Sequence, residues 1–163
     1  MWCQIALLFC TLPTPPVPPL TSPIAGLTTH DLKDSFAEVH NGHPHEAIDI
    51  MAPRGTPVRA VVAGTIRKLF LSKPGGNTIY QFDRGSNYAY YYAHLDRYAD
   101  GLREGAHVNA GDVIGYVGST GDASLLAPHL HFTIFELGPE KQWWKGTAVN
   151  PYPFLLAAVR MQS

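Results

Sequence analysis

Apolar and polar residues alternate along His129-Leu130-His131-Phe132-Thr133-Ile134-Phe135, and a two-residue period marks a β-strand with one buried face. Leu130, Phe132 and Ile134 fall on that face; His129, His131 and Thr133 fall on the other. The same period predicts a strand over His45 to Met51, with Ile48 and Ile50 inward and His45, Ala47 and Asp49 outward. A spacing of four also suits one face of a helix, but the branched residues and the closing Pro53 and Gly55 favour the strand. Val58 to Leu71 is rich in Val and Ile, with Gly64 as a bulge or turn. Asn77 to Phe82 and Tyr88 to Leu95 predict a hairpin around Arg84-Gly85-Ser86-Asn87, with Tyr88, Tyr90, Tyr92 and His94 on one face. Val113 to Val117 is a short strand after the turn Asn109-Ala110-Gly111-Asp112. Two segments depart from this period. Thr29 to Val39 has Leu32, Phe36 and Val39 at helical spacing behind Thr29 as N-cap, and Trp143 to Val159 is expected to cross the outside, with a helical turn over Phe154 to Val159. The pattern predicts a mainly β fold, a compact antiparallel β domain with little helix.

The N-terminal part reads differently. Residues 11 to 23 are rich in proline, which favours polyproline II and cannot pair in a sheet, so a stiff linker is expected there. Residues 1–23 are accordingly assigned to a short apolar leader and linker, and residues 24–163 to the folded domain. Ile5 to Phe9 is apolar but far short of the roughly 20 residues that span a bilayer, so no transmembrane segment is expected. It resembles the apolar part of a secretory signal, although no Lys or Arg precedes it. Leu7-Leu8-Phe9-Cys10 resembles a lipoprotein cleavage site with a bulky residue at a small position. Both cysteines, Cys3 and Cys10, lie in this segment, leaving the domain neither a disulfide framework nor a cysteine metal site.

Composition adds one point. A net charge of −1 with 15% charged residues gives no basic excess, so nucleic acid is not an implied partner. Eight histidines in 163 residues is unusual and directs attention to metal or acid–base chemistry. His129 and His131 project side by side from a strand anchored in the core, which is how a metal site is preorganised. His45 and Asp49 follow the same logic, with small Ala47 leaving room between them, and His94 ends a tyrosine-lined strand. Zinc takes imidazole nitrogen and carboxylate oxygen in tetrahedral geometry, and a catalytic site leaves one position open. Two His and one Asp leave a net +1, and further histidines nearby can serve as base and oxyanion donor. His30, His40, His43 and His107 lie in loops and read as surface residues; Pro44 argues against extending the strand to His43.

Taken together, three segments in order resemble the LytM/lysostaphin family of zinc metallopeptidases. They are His45-Glu46-Ala47-Ile48-Asp49 with Ala52-Pro53-Arg54-Gly55-Thr56-Pro57-Val58, then Tyr92-Ala93-His94-Leu95, then Pro128-His129-Leu130-His131-Phe132. Ala110-Gly111-Asp112-Val113-Ile114-Gly115-Tyr116-Val117-Gly118 is similar to the glycine-rich turn and strand usual between the last two. The resemblance implies a single zinc ion on His45, Asp49 and His131, and a catalytic pair of His129 as general base and His94 as stabiliser of the tetrahedral intermediate. It implies a groove over an antiparallel sheet, peptide cross-links or bridges of peptidoglycan as substrate, and a monomer acting in the periplasm or outside the cell. Ala47 stands where the family commonly has Gly.

Two other functions compete. A catalytically idle member of the same family would bind wall or activate another hydrolase, but such members lose ligands that are all present here. Val61-Val62-Ala63-Gly64-Thr65-Ile66 with Gly111-Asp112-Val113-Ile114-Gly115 also resembles a biotinyl or lipoyl carrier. That reading lacks a lysine at a hairpin tip, offering only Lys68 and Lys73, and leaves the histidines unexplained.

Overall fold

A computed structural model describes residues 15–40 and 42–162. The apolar leader with Cys3 and Cys10 lies outside the described residues, as does the side chain of His40. The alternating segments form an antiparallel sheet in the order β11–β10–β7–β6–β5–β8. These strands are β5 (Gly64–Ser72), β6 (Gly76–Asp83), β7 (Tyr88–Tyr98), β8 (His107–Val108), β10 (His129–Leu137) and β11 (Gly146–Val149). Three short strands complete it: β3 (Ile48–Met51) pairs with β10, β9 (Val113–Val117) with the end of β7, and β4 (Pro57–Arg59) with β9. A separate two-residue pair, β1 (Val39–His40) and β2 (His43–Pro44), precedes β3. Among the described residues no helix is long and apolar enough to cross a membrane.

The core lies on one face of the sheet. Leu130, Phe132 and Ile134 are fully buried there with Ile48, Ile50, Ile79 and Leu95, as the alternation requires. Each such side chain contributes about 1.5–3 kcal/mol of transfer free energy. Tyr88, Tyr90 and Tyr92 share a face, as the alternation predicts, and it is this core face, so they are packing residues. The Tyr92 hydroxyl donates to Gln81 Oε1 (2.8 Å) and accepts from the Val61 N–H (3.0 Å), while Gln81 Nε2 donates to the Val62 carbonyl (2.7 Å). A buried polar chain of this kind is stable only when each member is paired.

Two expectations need correction, and a third is extended. Thr29 to Val39 is not an α-helix: only a 3₁₀ turn, Thr29–Asp31, forms behind a Thr28 capping box. Asp34 Oδ1 accepts from the Phe36 N–H, a local alternative to helical bonding, and Ser35 Oγ donates to the Ala47 carbonyl twelve residues on. The stiff linker expected over the proline-rich run packs against the domain where it is described. Leu20, Ser22 and Pro23 are buried, the Thr21 N–H donates to the Val61 carbonyl, and the Tyr88 hydroxyl donates to the Pro15 carbonyl. The tail does carry a helix, α1 (Tyr152–Arg160), longer than one turn and seated through Leu155, Ala158 and Val159.

Candidate metal centre

His131 stands in register with Asp49 on β3 and with Ala93 on β7, so these three side chains leave the sheet on the face opposite the core. His45 lies before β3 and joins them by a turn. Glu46 has φ 53°, which ends the two-residue alternation, and the Thr133 hydroxyl pins that turn by donating to the Glu46 carbonyl (2.9 Å). The predicted unbroken strand from His45 is therefore corrected, although its two outward polar residues do meet. The small residue beside His131 is Ala93; Ala47 is fully buried and its carbonyl accepts from Ser35 Oγ (3.2 Å).

The three donor atoms form a triangle. His45 Nε2, Asp49 Oδ1 and His131 Nδ1 are each 3.1 Å from the other two. A tetrahedral ion with bonds of about 2.0–2.1 Å has ligand edges of about 3.3–3.4 Å. Their proton count points the same way. His45 Nδ1 lies 3.1 Å from the Ser35 carbonyl oxygen, which only accepts, so the neutral ring carries its proton on Nδ1 and turns a lone pair inward. Three acceptors then face one another with at most the His131 Nδ1 proton between them, an arrangement a cation completes. Ser35 braces two ligands at once, since its carbonyl orients His45 and its hydroxyl accepts from the Asp49 N–H (3.3 Å). Burial pushes the Asp49 carboxyl up, but bonds from the His131 ring and from His45, which donates through Nε2 only as the imidazolium, outweigh it and hold it far below the ordinary carboxylate range. The same bond to Asp49 raises His45 against its burial.

His129 and His94 stand on the open side of the triangle. Their rings are 4.9 Å apart, and His94 is 5.5 Å from the His131 ring. His129 comes from β10, with Nε2 3.8 Å from Asp49 Oδ1. His94 arrives by a bulge: β7 spends three residues from Tyr92 to Leu95 where β6 spends two from Ile79 to Asn77, and His94 takes φ 59°. That extra residue moves His94 off the Tyr88–Tyr90–Tyr92 face to the site face. Both imidazoles are held in one tautomer by the connection between β9 and β10. His129 Nδ1 donates to the Ala127 carbonyl (2.9 Å) and His94 Nδ1 to the Thr120 carbonyl (2.8 Å). Each neutral ring therefore offers an Nε2 lone pair to the site. Burial lowers the His94 pKa, the Thr120 bond opposes it, and the neighbouring His131 and His129 add to it.

These five residues line a cleft of about 520 Å³ with Tyr91, Asp122 and Ser124. His43, read as a surface residue, is exposed and also lines the cleft. His30 and His107 are exposed, His107 bonding Thr65 (3.1 Å). Tyr91 was missed by the sequence reading, because its face became the site face only through the register of β7 on β10. Thr120 and Ser35 were missed because each orients its imidazole through a backbone carbonyl, which leaves no signature in residue type.

The profile of Peptidase family M23 matches residues 43–151, which carry all five of these residues. The chain belongs to peptidase family M23. Relatives of this M23 domain include the L-Ala--D-Glu endopeptidase of Bacillus subtilis (strain 168), 34% identical over 123 residues, covering 72% of this chain and 36% of that protein. Lysostaphin of Staphylococcus simulans is 36% identical over 119 residues, 72% of this chain and 22% of that protein. The M23 chain thus spans about a third or less of these relatives. Among solved structures, the catalytic domain of lysostaphin from Staphylococcus simulans superposes with a TM-score of 0.63 at 32% identity, covering 78% of this chain and 94% of that one. A zinc-containing peptidase from Vibrio cholerae gives a TM-score of 0.58 at 26% identity, covering 72% of this chain and 36% of that one.

Proposed function

We propose that this M23 domain is a zinc-dependent endopeptidase that hydrolyses peptide cross-links or bridges of bacterial peptidoglycan. The observation that carries the reading is the 3.1 Å triangle of His45 Nε2, Asp49 Oδ1 and His131 Nδ1, with two oriented imidazoles on its open side. Two nitrogens, one carboxylate oxygen and an open position are a donor set that zinc takes readily, one ion per chain. When bound there, the ion supplies a Lewis acid that polarises a carbonyl and lowers the pKa of a water.

The chain's own residues do the rest. His129 Nε2 accepts a proton from the attacking water and returns it to the leaving amine, its ring steadied by the Ala127 carbonyl. His94 stabilises the tetrahedral oxygen. Its neutral tautomer carries no Nε2 proton, so in that role it donates as the imidazolium, a form that burial disfavours until the negative oxygen develops beside it. The substrate class is supported by relatives named as an L-Ala--D-Glu endopeptidase and as a glycyl-glycine endopeptidase. A wall substrate places the activity in the periplasm or outside the cell, and a monomer is expected.

Metal content and clearing of a peptidoglycan suspension, measured on the full chain with and without chelator, test this. One zinc per chain with clearing that stops on chelation and returns with zinc supports the peptidase. One zinc without clearing on several wall types favours an idle, wall-binding domain. A folded protein that takes up no zinc sinks the site. His129→Ala is expected to keep its zinc and lose about 10²- to 10⁴-fold in turnover.

A further inference from the structure

An aromatic strip runs from the metal centre across the open face of the sheet. It begins at the His131 ring on β10, whose centroid is 6.0 Å from that of Tyr91 on β7. Tyr91 meets Tyr80 on β6 at 4.7 Å, Tyr80 meets Trp143 at 4.9 Å, and Trp143 meets Phe70 on β5 at 5.3 Å. Trp143 belongs to the connection between β10 and β11, and its neighbour Trp144 stacks edge-on against it at 5.4 Å while remaining 63% exposed. The register explains the line: Tyr91 lies opposite Tyr80, and Tyr80 opposite Lys68, so one side chain per strand reaches the same face. Crossing from β10 to β5 covers three strand spacings, about 14 Å.

The chemistry of the strip narrows what fits it. Its rings are Tyr, Tyr, Trp, Phe and Trp, with no Leu, Ile, Val or Met among them. Flat rings with polar edges match a ligand with an apolar C–H face and a hydroxyl rim, which is the character of a pyranose. Lys68 beside Trp143 has its charge paired with Glu104 at 2.8 Å. Tyr91, Tyr80 and Trp143 are half-buried, Trp143 packing beside Leu137, so the open rings of the strip are Phe70 and Trp144; exposed apolar surface beside a reaction site is a usual feature of ligand binding.

We infer that this strip is a glycan subsite, on which the β-linked amino-sugar strand of the wall polymer stacks while its attached peptide enters the metal centre. The inference rests on the proposed peptidoglycan substrate. It makes the domain selective for peptide still joined to its glycan, with Trp144 and Trp143 as specificity-determining residues remote from the reacting bond.

The test uses the full zinc-loaded chain, a peptide-free β-1,4-linked N-acetylglucosamine tetramer as probe, and two substrates: intact wall and a short glycan-free cross-link peptide. The tetramer is expected to change the tryptophan fluorescence of the wild type saturably, and Trp144→Ala to weaken its binding about tenfold, the effect of one ring contact. Trp144→Ala should raise KM on intact wall by a similar factor while leaving kcat and cleavage of the short peptide unchanged. Trp143→Phe, which keeps the ring packed on the sheet, should bind the tetramer less tightly and melt like the wild type. Equal losses on both substrates, or no response to the tetramer, would overturn the glycan subsite. So would a concentration-dependent dimer that Trp144→Ala abolishes, which would make the strip a contact between copies. Tetramer binding reads the subsite without activity, so a chain that binds the tetramer but cuts nothing would sink the peptidase and spare the subsite.

Discussion

The carbonyl of Thr120 accepts the Nδ1 proton of His94 across 2.8 Å, while the Thr120 hydroxyl donates to the Leu95 carbonyl (2.7 Å) and accepts from the Asn77 N–H (3.0 Å). One residue thus joins the loop after β9 to the β6–β7 pair and sets the tautomer of a site imidazole. Thr120→Val removes both side-chain bonds at nearly constant volume. Turnover on wall peptide is expected to fall about 10- to 100-fold through misplacement of His94. KM and zinc content should hold, and Thr120→Ser should restore the rate. Steady-state kinetics beside metal analysis check this; a loss of zinc in step with activity would make Thr120 merely structural.

Removing a metal ligand should uncouple stability from zinc. Adding zinc at 100 times its Kd to the apo protein is expected to stabilise the wild type by about 2.7 kcal/mol. His131→Ala and His45→Ala should lose that increment, because each removes one corner of the 3.1 Å triangle. Melting curves with and without zinc decide the matter, and an unchanged zinc increment in both variants would move the ion elsewhere.

Two core tyrosines should behave oppositely. Tyr92→Phe strips an acceptor from the Val61 N–H and a donor from Gln81 Oε1 in a fully buried place, at a cost of about 1–3 kcal/mol. The Tyr90 hydroxyl is buried and has no hydrogen-bond partner among the described residues, so Tyr90→Phe should be neutral or stabilising. Urea denaturation of both variants measures the difference.

Gly121 precedes Asp122, a residue of the cleft wall. It has φ 79°, and a Cβ there would lie 2.2 Å from the Pro74 carbonyl oxygen and 2.4 Å from the Gly76 nitrogen. Gly121→Ala must part the two loops that Asp122 N–H, donating to the Pro74 carbonyl at 2.9 Å, holds together. A destabilisation of about 1–3 kcal/mol is expected, with a loss of turnover exceeding that of an alanine placed at exposed, contact-free Gly101, which shares the positive φ. Thermal melts and kinetics on the two variants make the comparison.

Much of this molecule was legible from its side-chain order. The His129 to Phe135 alternation predicted which residues would be buried, because adjacent side chains on a strand have no choice but opposite faces. The hairpin around Arg84 to Asn87 and the strand Val113 to Val117 followed from local turn chemistry. The alternation failed at two residues, Glu46 and His94, where a non-glycine backbone turns to positive φ and carries a histidine to the metal side. No propensity marks such residues, because the surrounding bonds to Thr133, Gly75 and Thr120 hold them there.

Side-chain order dictates the sheet, its buried face and the family to which the histidine motifs belong. Tertiary structure alone decided that His45, Asp49 and His131 close to 3.1 Å, that Thr120 and Ala127 orient the other two imidazoles, and that Tyr91 and not Tyr92 faces the site. The division has one physical cause. Facing is a local property with a two-residue period, whereas convergence depends on the register between strands far apart in the chain, and one bulge residue there exchanges the faces of a strand.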